Sequence, residues 1–142
     1  MNKGNLTRNG VHLQEHEFST INALLESGYN IELIPPSQIK GMYLPDININ
    51  GISWEIKAPK GNSRNTIKHS FQNALHQSQN IILDLRRCKL QQSIAIKEAE
   101  LHFKLSKRVQ RMKIIIYDEQ SLRNPAEKHS IKPFVILDYK KK

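Results

Sequence analysis

The segment YLPDININGISWEIKAPKG, residues 43–61, constrains the fold more than any other stretch of the chain. Asn50-Gly51 is a two-residue hairpin signal, because both turn positions need φ > 0. With 50–51 as the loop, Ile49 faces Ile52, Asn48 faces Ser53, Ile47 faces Trp54 and Asp46 faces Glu55. Side chains alternate along each strand. Ile47, Ile49, Ile52, Trp54 and Ile56 therefore form a core face, and Asp46, Asn48, Ser53, Glu55 and Lys57 share the other. Directly opposed residues have Cβ atoms about 4.5–5.5 Å apart, where like charges repel. An Asp facing a Glu calls for a cation between them or a shared proton.

The rest of the chain arranges itself around this hairpin, taken as 44–58. Residues 11–27 read as a helix ended by Gly28, and 29–35 as a strand stopped by Pro35-Pro36. Residues 66–79 read as a second helix with Ile67, Phe71, Ala74 and Leu75 on one side. NIILDL, 80–85, is continuously apolar, as in a strand covered on both faces. Residues 91–111 read as a long helix, MKIIIYD (112–118) and PFVILDY (133–139) as strands, and 119–132 as a polar loop. The order α-β-β-β-α-β, followed by α-β-β, implies a mixed sheet with helices packed on it, in an α/β single domain spanning residues 1–142.

Three residues carry the candidate chemistry on the hairpin. The i, i+2 spacing of Glu55 and Lys57 puts both on the face of Asp46. A lysine there can neutralise charge developing on a phosphate. On the first helix, Val11, Phe18, Ile21, Leu24 and Leu25 form an apolar arc, and Glu17 falls between Leu24 and Ile21. A carboxylate on a core-facing stripe needs compensation, so Glu17 is expected as a third acid over the hairpin. Oxygen ligands without a cysteine-rich site favour Mg2+ or Mn2+, with Zn2+ a lesser alternative. Asp46, Glu55 and the Ile56 carbonyl are the expected metal ligands, with Glu17 direct or through water.

The formal net charge of +9 favours a polyanionic partner. The loop Lys60-Gly61-Asn62-Ser63-Arg64-Asn65-Thr66 leads from the hairpin into the second helix. Its Lys60, Ser63, Arg64, Asn65 and Thr66 are candidates to hold phosphate at a helix N-terminus, with Thr66 or Asn65 as N-cap. Gln77 lies on the flank of that helix. On the third helix Lys97, Lys104, Lys107, Arg108 and Arg111 fall on one arc, opposite an expected core stripe of Ile94, Leu101, Leu105, Val109 and Met112. A basic arc of this kind suits a phosphate backbone and reads no sequence.

Other classes are less well served. Cys88 is the one cysteine, which excludes an internal disulfide and a cysteine-rich zinc site and points to a reducing compartment. His12 and His16 stand at i, i+4 without an HExxH pattern. Six histidines permit a metal-free ribonuclease, but no arrangement of them stands out. No apolar run reaches membrane-helix length, so no membrane insertion is expected. MNKGNLTRNG lacks the apolar core of a signal peptide.

Pro45-Asp46 and Glu55-Ile56-Lys57, in an αβββαβ order, resemble the PD-(D/E)xK nuclease superfamily, whose fold is restriction-endonuclease-like. A closer resemblance is to the C-terminal tRNA nuclease domain of contact-dependent growth inhibition (CdiA-type) toxins. It runs through Glu17 to Leu24, Gly28-Tyr29, Pro35, Pro45-Asp46, the stretch from Glu55 to Ile67, Ala74 to Gln77, and Ile82 to Leu85. The resemblance implies metal-dependent cleavage of tRNA, with Glu17, Asp46, Glu55 and Lys57 catalytic. It also implies a cognate immunity protein, acidic to suit the basic domain, and action in the bacterial cytoplasm of a target cell. A DNase of the same superfamily is the nearest alternative, and a non-catalytic nucleic-acid-binding module the next.

Overall fold

The computed structural model describes residues 2–118 and 133–142. The polar loop expected over 119–132 lies outside the described residues. In chain order the elements are β1 (Leu6–Thr7), α1 (Glu15–Glu26), β2 (Ile31–Leu33), β3 (Ile47–Ile49), β4 (Ile52–Lys57), α2 (Arg64–Leu75), β5 (Asn80–Asp84), α3 (Gln92–Leu105), β6 (Arg111–Tyr117) and β7 (Phe134–Lys140). All seven strands form one sheet in chain order. β1 pairs parallel with β2, β2–β3–β4 is an antiparallel meander, β4–β5–β6 runs parallel, and β7 returns antiparallel. The mixed α/β sheet expected from the order of elements is thus observed, with the short β1 added at one edge.

The parallel strands explain where the helices go. Crossovers between parallel neighbours are right-handed, so β4-α2-β5 and β5-α3-β6, running in the same direction across the sheet, place α2 and α3 on the same face. There Ile67, Phe71 and Ala74 of α2 and Ala95 and Ala99 of α3 pack on Ile81, Leu83, Met112, Ile114 and Ile116. Ile21, Leu24 and Leu25 of α1 pack on the opposite face, against Ile31, Leu33, Ile47, Ile49, Trp54, Ile82 and Ile115. The alternation of Ile81 and Leu83 with Ile82 between the two cores is the period-2 geometry of a strand buried on both sides.

Helix ends follow from local chemistry. At the start of α1 the Gln14 N–H donates to Glu17 Oε1 at 2.9 Å, half of a capping box. At its end Gly28 takes φ +92°. Its N–H donates to Leu25 O (2.9 Å) and the Tyr29 N–H to Leu24 O (3.2 Å), a Schellman closure. Ser63 is the N-cap of α2, so the helix starts before Asn65 and Thr66. A Cβ at Gly61 would stand 2.2 Å from Thr66 Oγ1, so only glycine lets the chain enter that helix so closely.

Two helix faces differ from expectation. Phe18 is 44% exposed, and the buried positions of α1 are Thr20, Ile21, Ala23, Leu24 and Leu25. The helix is turned toward Thr20 because its hydroxyl donates to the buried Asp84 at 2.6 Å. The third helix stops at Leu105 rather than 111. Ser106 turns the chain to extended backbone, and its hydroxyl accepts the Arg108 and Val109 N–H groups. Val109 and Met112 reach the core from outside the helix, Ala95 and Ala99 form its buried stripe, and Leu101 and Leu105 are exposed.

Candidate active site

Asn50 (φ +51°) and Gly51 (φ +83°) form the turn between β3 and β4. The pairs Ile49–Ile52, Asn48–Ser53 and Ile47–Trp54 are those expected from it. The ladder then departs from expectation. The Asp46 N–H donates to Trp54 O at 3.0 Å, so Asp46 has shifted along β4 and does not pair with Glu55. Its carboxylate Oδ2 instead accepts the Ile56 N–H at 2.8 Å, and its carbonyl accepts the Ile34 N–H at 2.9 Å. These three bonds hold the Asp46 backbone and carboxylate at the point where β2 and β3 part company with β4.

Glu55 lies on the face shared with Ile81, its partner in β5. It is 3% exposed, its Oε1 has no hydrogen-bond partner, and its Oε2 is 3.5 Å from Lys57 Nζ. Burial, then the neighbouring Asp46 carboxylate, push its pKa from 4.5 up to about 8, and Lys57 only partly opposes them. The site therefore holds two adjacent carboxylates, one buried and short of a partner, with a lysine beside them. Such a pair is neutralised by a cation or by retaining a proton.

These groups line a cleft of about 890 Å3. Glu17, His16 and Thr20 of α1 border it from one side of the sheet, and Ser70 and Gln77 from the other. Glu17 shares the cleft but is exposed, not held on the core stripe, and its Oε1 is engaged by the Gln14 N–H. Among the described residues, no group of three or more His, Cys, Asp or Glu side chains is close enough together to hold a metal. Of the expected acids, then, Asp46 and Glu55 meet and Glu17 stands apart.

The expected anion-binding residues are dispersed. Gln77 is half-buried in the cleft wall. Lys60, Ser63, Arg64, Asn65 and Thr66 lie beyond the cleft lining, and Arg64 is 3.8 Å from Glu98 of α3. Lys97 and Lys104 are exposed on α3. Arg108 donates to Leu75 O (2.9 Å) and Arg111 to Asn80 Oδ1 (3.4 Å). Both arginines sit at the starting ends of β5 and β6, while Lys57 closes the far end of β4. The continuous basic helix is thus corrected to two lysines on α3, an exposed Lys107 just beyond it and two arginines engaged elsewhere, because the helix ends at Leu105.

Arg87 was not singled out in the sequence, yet it lines the cleft and donates to Ala58 O at 2.7 Å. The Arg86-Arg87 pair directly after the buried strand was its signal. Arg86 has a different task. It binds both oxygens of Asp84 (2.9 and 2.7 Å) and the Ser19 carbonyl (3.0 Å), fastening α1 to β5 below the cleft.

A family model described as the contact-dependent growth inhibition CdiA C-terminal domain matches residues 44–121. The chain belongs to this family. The matched span of the CdiA C-terminal domain carries Asp46, Glu55, Lys57 and Gln77 and leaves out α1, the helix of Glu17. The whole fold is similar to a chain of the CdiA-CT/CdiI toxin and immunity complex from Burkholderia pseudomallei, with a TM-score of 0.58 and 18% identity. That likeness covers 97% of this chain and 100% of the other. No curated protein sequence matches the chain.

Proposed function

We propose that this CdiA C-terminal domain is a divalent-metal-dependent endonuclease of PD-(D/E)xK type that hydrolyses phosphodiester bonds, with tRNA as substrate. The observation that carries the reading is the buried Glu55 carboxylate, whose Oε1 lacks any partner while Asp46 stands beside it. A cation between the two carboxylates would neutralise them in place of a retained proton. The donor set fits a hard ion: two carboxylates and the Ile56 carbonyl, all oxygen, with water completing the shell as Mg2+ prefers. Asp46, Glu55 and Ile56 would hold Mg2+ or Mn2+, and Glu17 would act through water from across the cleft. A bound divalent cation supplies Lewis acidity, lowering the pKa of water and neutralising charge on the phosphate.

The chain's own groups do the rest. The Ile56 N–H fixes one Asp46 oxygen, which leaves the other to bind. Burial keeps Glu55 from exchanging freely with solvent, which raises its electrostatic leverage on whatever occupies the site. Lys57 Nζ, half-exposed and 3.5 Å from Glu55, can reach a non-bridging phosphate oxygen and stabilise charge there. Arg87 and Gln77 border the path of the polymer.

The immunity protein named with the Burkholderia chain supports a cognate partner here, acidic to match the net charge of +9. Among the described residues no helix is long and apolar enough to cross a membrane. The target-cell cytoplasm, where tRNA resides, is the proposed place of action. The test is incubation of purified protein with tRNA and with plasmid, in Mg2+ or in EDTA. Cleavage of tRNA in Mg2+ and its loss in EDTA support the reading. Cleavage of plasmid alone makes the domain a DNase, EDTA-resistant cleavage overturns the metal, and binding without cleavage leaves a nucleic-acid-binding module.

A further inference from the structure

Between β2 and β3 the chain leaves the sheet at Ile34 and rejoins it at Asp46, where the Ile34 N–H donates to the Asp46 carbonyl at 2.9 Å. The excursion 35–45 is therefore closed at its base by the residue whose carboxylate stands beside Glu55. Inside it, the Met42 N–H donates to Ile39 O and the Ile39 N–H to Ser37 Oγ, both at 3.1 Å, and Gly41 turns the chain at φ +85°. Four large apolar side chains of this loop stay exposed: Ile39 64%, Met42 50%, Tyr43 70% and Leu44 38%. All four line the cleft. They serve no core, and their concentration at the rim of an acidic pair calls for an external apolar group.

The same cleft is lined by Lys40, Lys57 and Arg87. Cations for a phosphate backbone together with an aromatic face for a base are the two elements by which single strands are held. We infer that Tyr43 is a stacking platform for an unpaired nucleobase next to the scissile phosphate, so that the domain takes a looped or single-stranded segment in preference to continuous duplex. This rests on the nuclease reading. Tyr43 is three residues from Asp46, a span of at most about 10 Å even when fully extended. A base on the ring therefore belongs to a nucleotide close to the bond being cut. A paired base would first have to leave its stack, at a cost of a few kcal/mol. Lys40 and Arg87, which have no carboxylate partner among the described residues, add the positive charge that a strand's phosphates would meet beside the ring.

The test uses a short single-stranded RNA with one 2-aminopurine, whose fluorescence falls on stacking, titrated in EDTA so that binding is read without cleavage. Wild-type protein is expected to quench it and to bind the matching duplex more weakly. Tyr43→Ala should weaken single-strand affinity about tenfold, the scale of one stacked base, and remove the quenching and the preference over duplex. Tyr43→Phe should keep all three. In Mg2+, Tyr43→Ala should raise KM with kcat little changed. Unaltered affinity and quenching in Tyr43→Ala, with wild-type binding intact, would overturn this inference and leave the nuclease reading standing. Absence of RNA binding and cleavage by the wild type would overturn both.

Discussion

Asp46 Oδ2 and the Ile56 N–H are joined at 2.8 Å, so an acidic side chain takes the place of a backbone acceptor in the sheet. Asp46 is therefore structural as well as acidic. Asp46→Ala is expected to abolish cleavage and also to destabilise the fold by about 1–3 kcal/mol, because a part-buried N–H loses its acceptor. Asp46→Asn keeps an oxygen for Ile56 and should retain most of the stability while kcat falls on the order of a hundredfold or more. Urea unfolding and single-turnover cleavage separate the two effects.

Glu55 behaves in the opposite way. Its pKa lies at about 8 in the fold against 4.5 for the free group. The folded chain keeps its proton to higher pH, so this stabilisation is complete below about pH 4.5 and is lost as pH rises through about 8. In EDTA the wild-type melting temperature is expected to fall over that window. Glu55→Gln should flatten the profile, remain folded and show no cleavage.

If Glu55 holds Mg2+ as proposed, the ion would compete with that proton for the same oxygens. At about pH 8 and above, Mg2+ should raise the melting temperature of the wild type and leave that of Glu55→Gln unchanged. A thermal shift titration in both proteins reads this directly, without substrate.

The Asp84–Arg86 pair is a support and not a reactant. Removing the Arg86 side chain leaves Asp84, 4% exposed, with two neutral donors, the Thr20 hydroxyl and the backbone N–H of residue 86, and no countercharge. Arg86→Met is expected to cost about 3–5 kcal/mol in urea unfolding. Thr20→Val should cost less, because Arg86 still holds both Asp84 oxygens.

Gly61→Ala places a methyl group 2.2 Å from Thr66 Oγ1 and should lower the unfolding midpoint. Thr66→Ala in the same chain removes the two nearest atoms and should recover most of the loss. Without that recovery, the closeness of loop and helix is not what the glycine serves.

Much of this was legible in the residues. The NG turn fixed the register from Ile49–Ile52 through Ile47–Trp54, because a two-residue loop leaves no slack. NIILDL announced a strand between two layers, because no polar residue interrupts it before Asp84. The step after Ile47 was not legible. Its shift depends on Ile34, a partner just past the end of β2, and on a side chain entering the ladder. The rotation of α1 toward Thr20 was hidden for the same reason, since a threonine reads as polar until its buried aspartate is known. The break at Ser106 has neither Gly nor Pro to mark it. Only the packing of Val109 and Met112 against the sheet explains why the helix yields there.

The cleft borders both hydrophobic layers, with α1 contributing one bank and α2 the other. Neither bank exists unless its own layer has condensed, and the Asp84 clamp ties the first of them, α1, to β5. A chain with one layer formed would carry half a basin and no working acid pair. Catalytic competence should thus appear in a single step on refolding, at the moment the second layer closes.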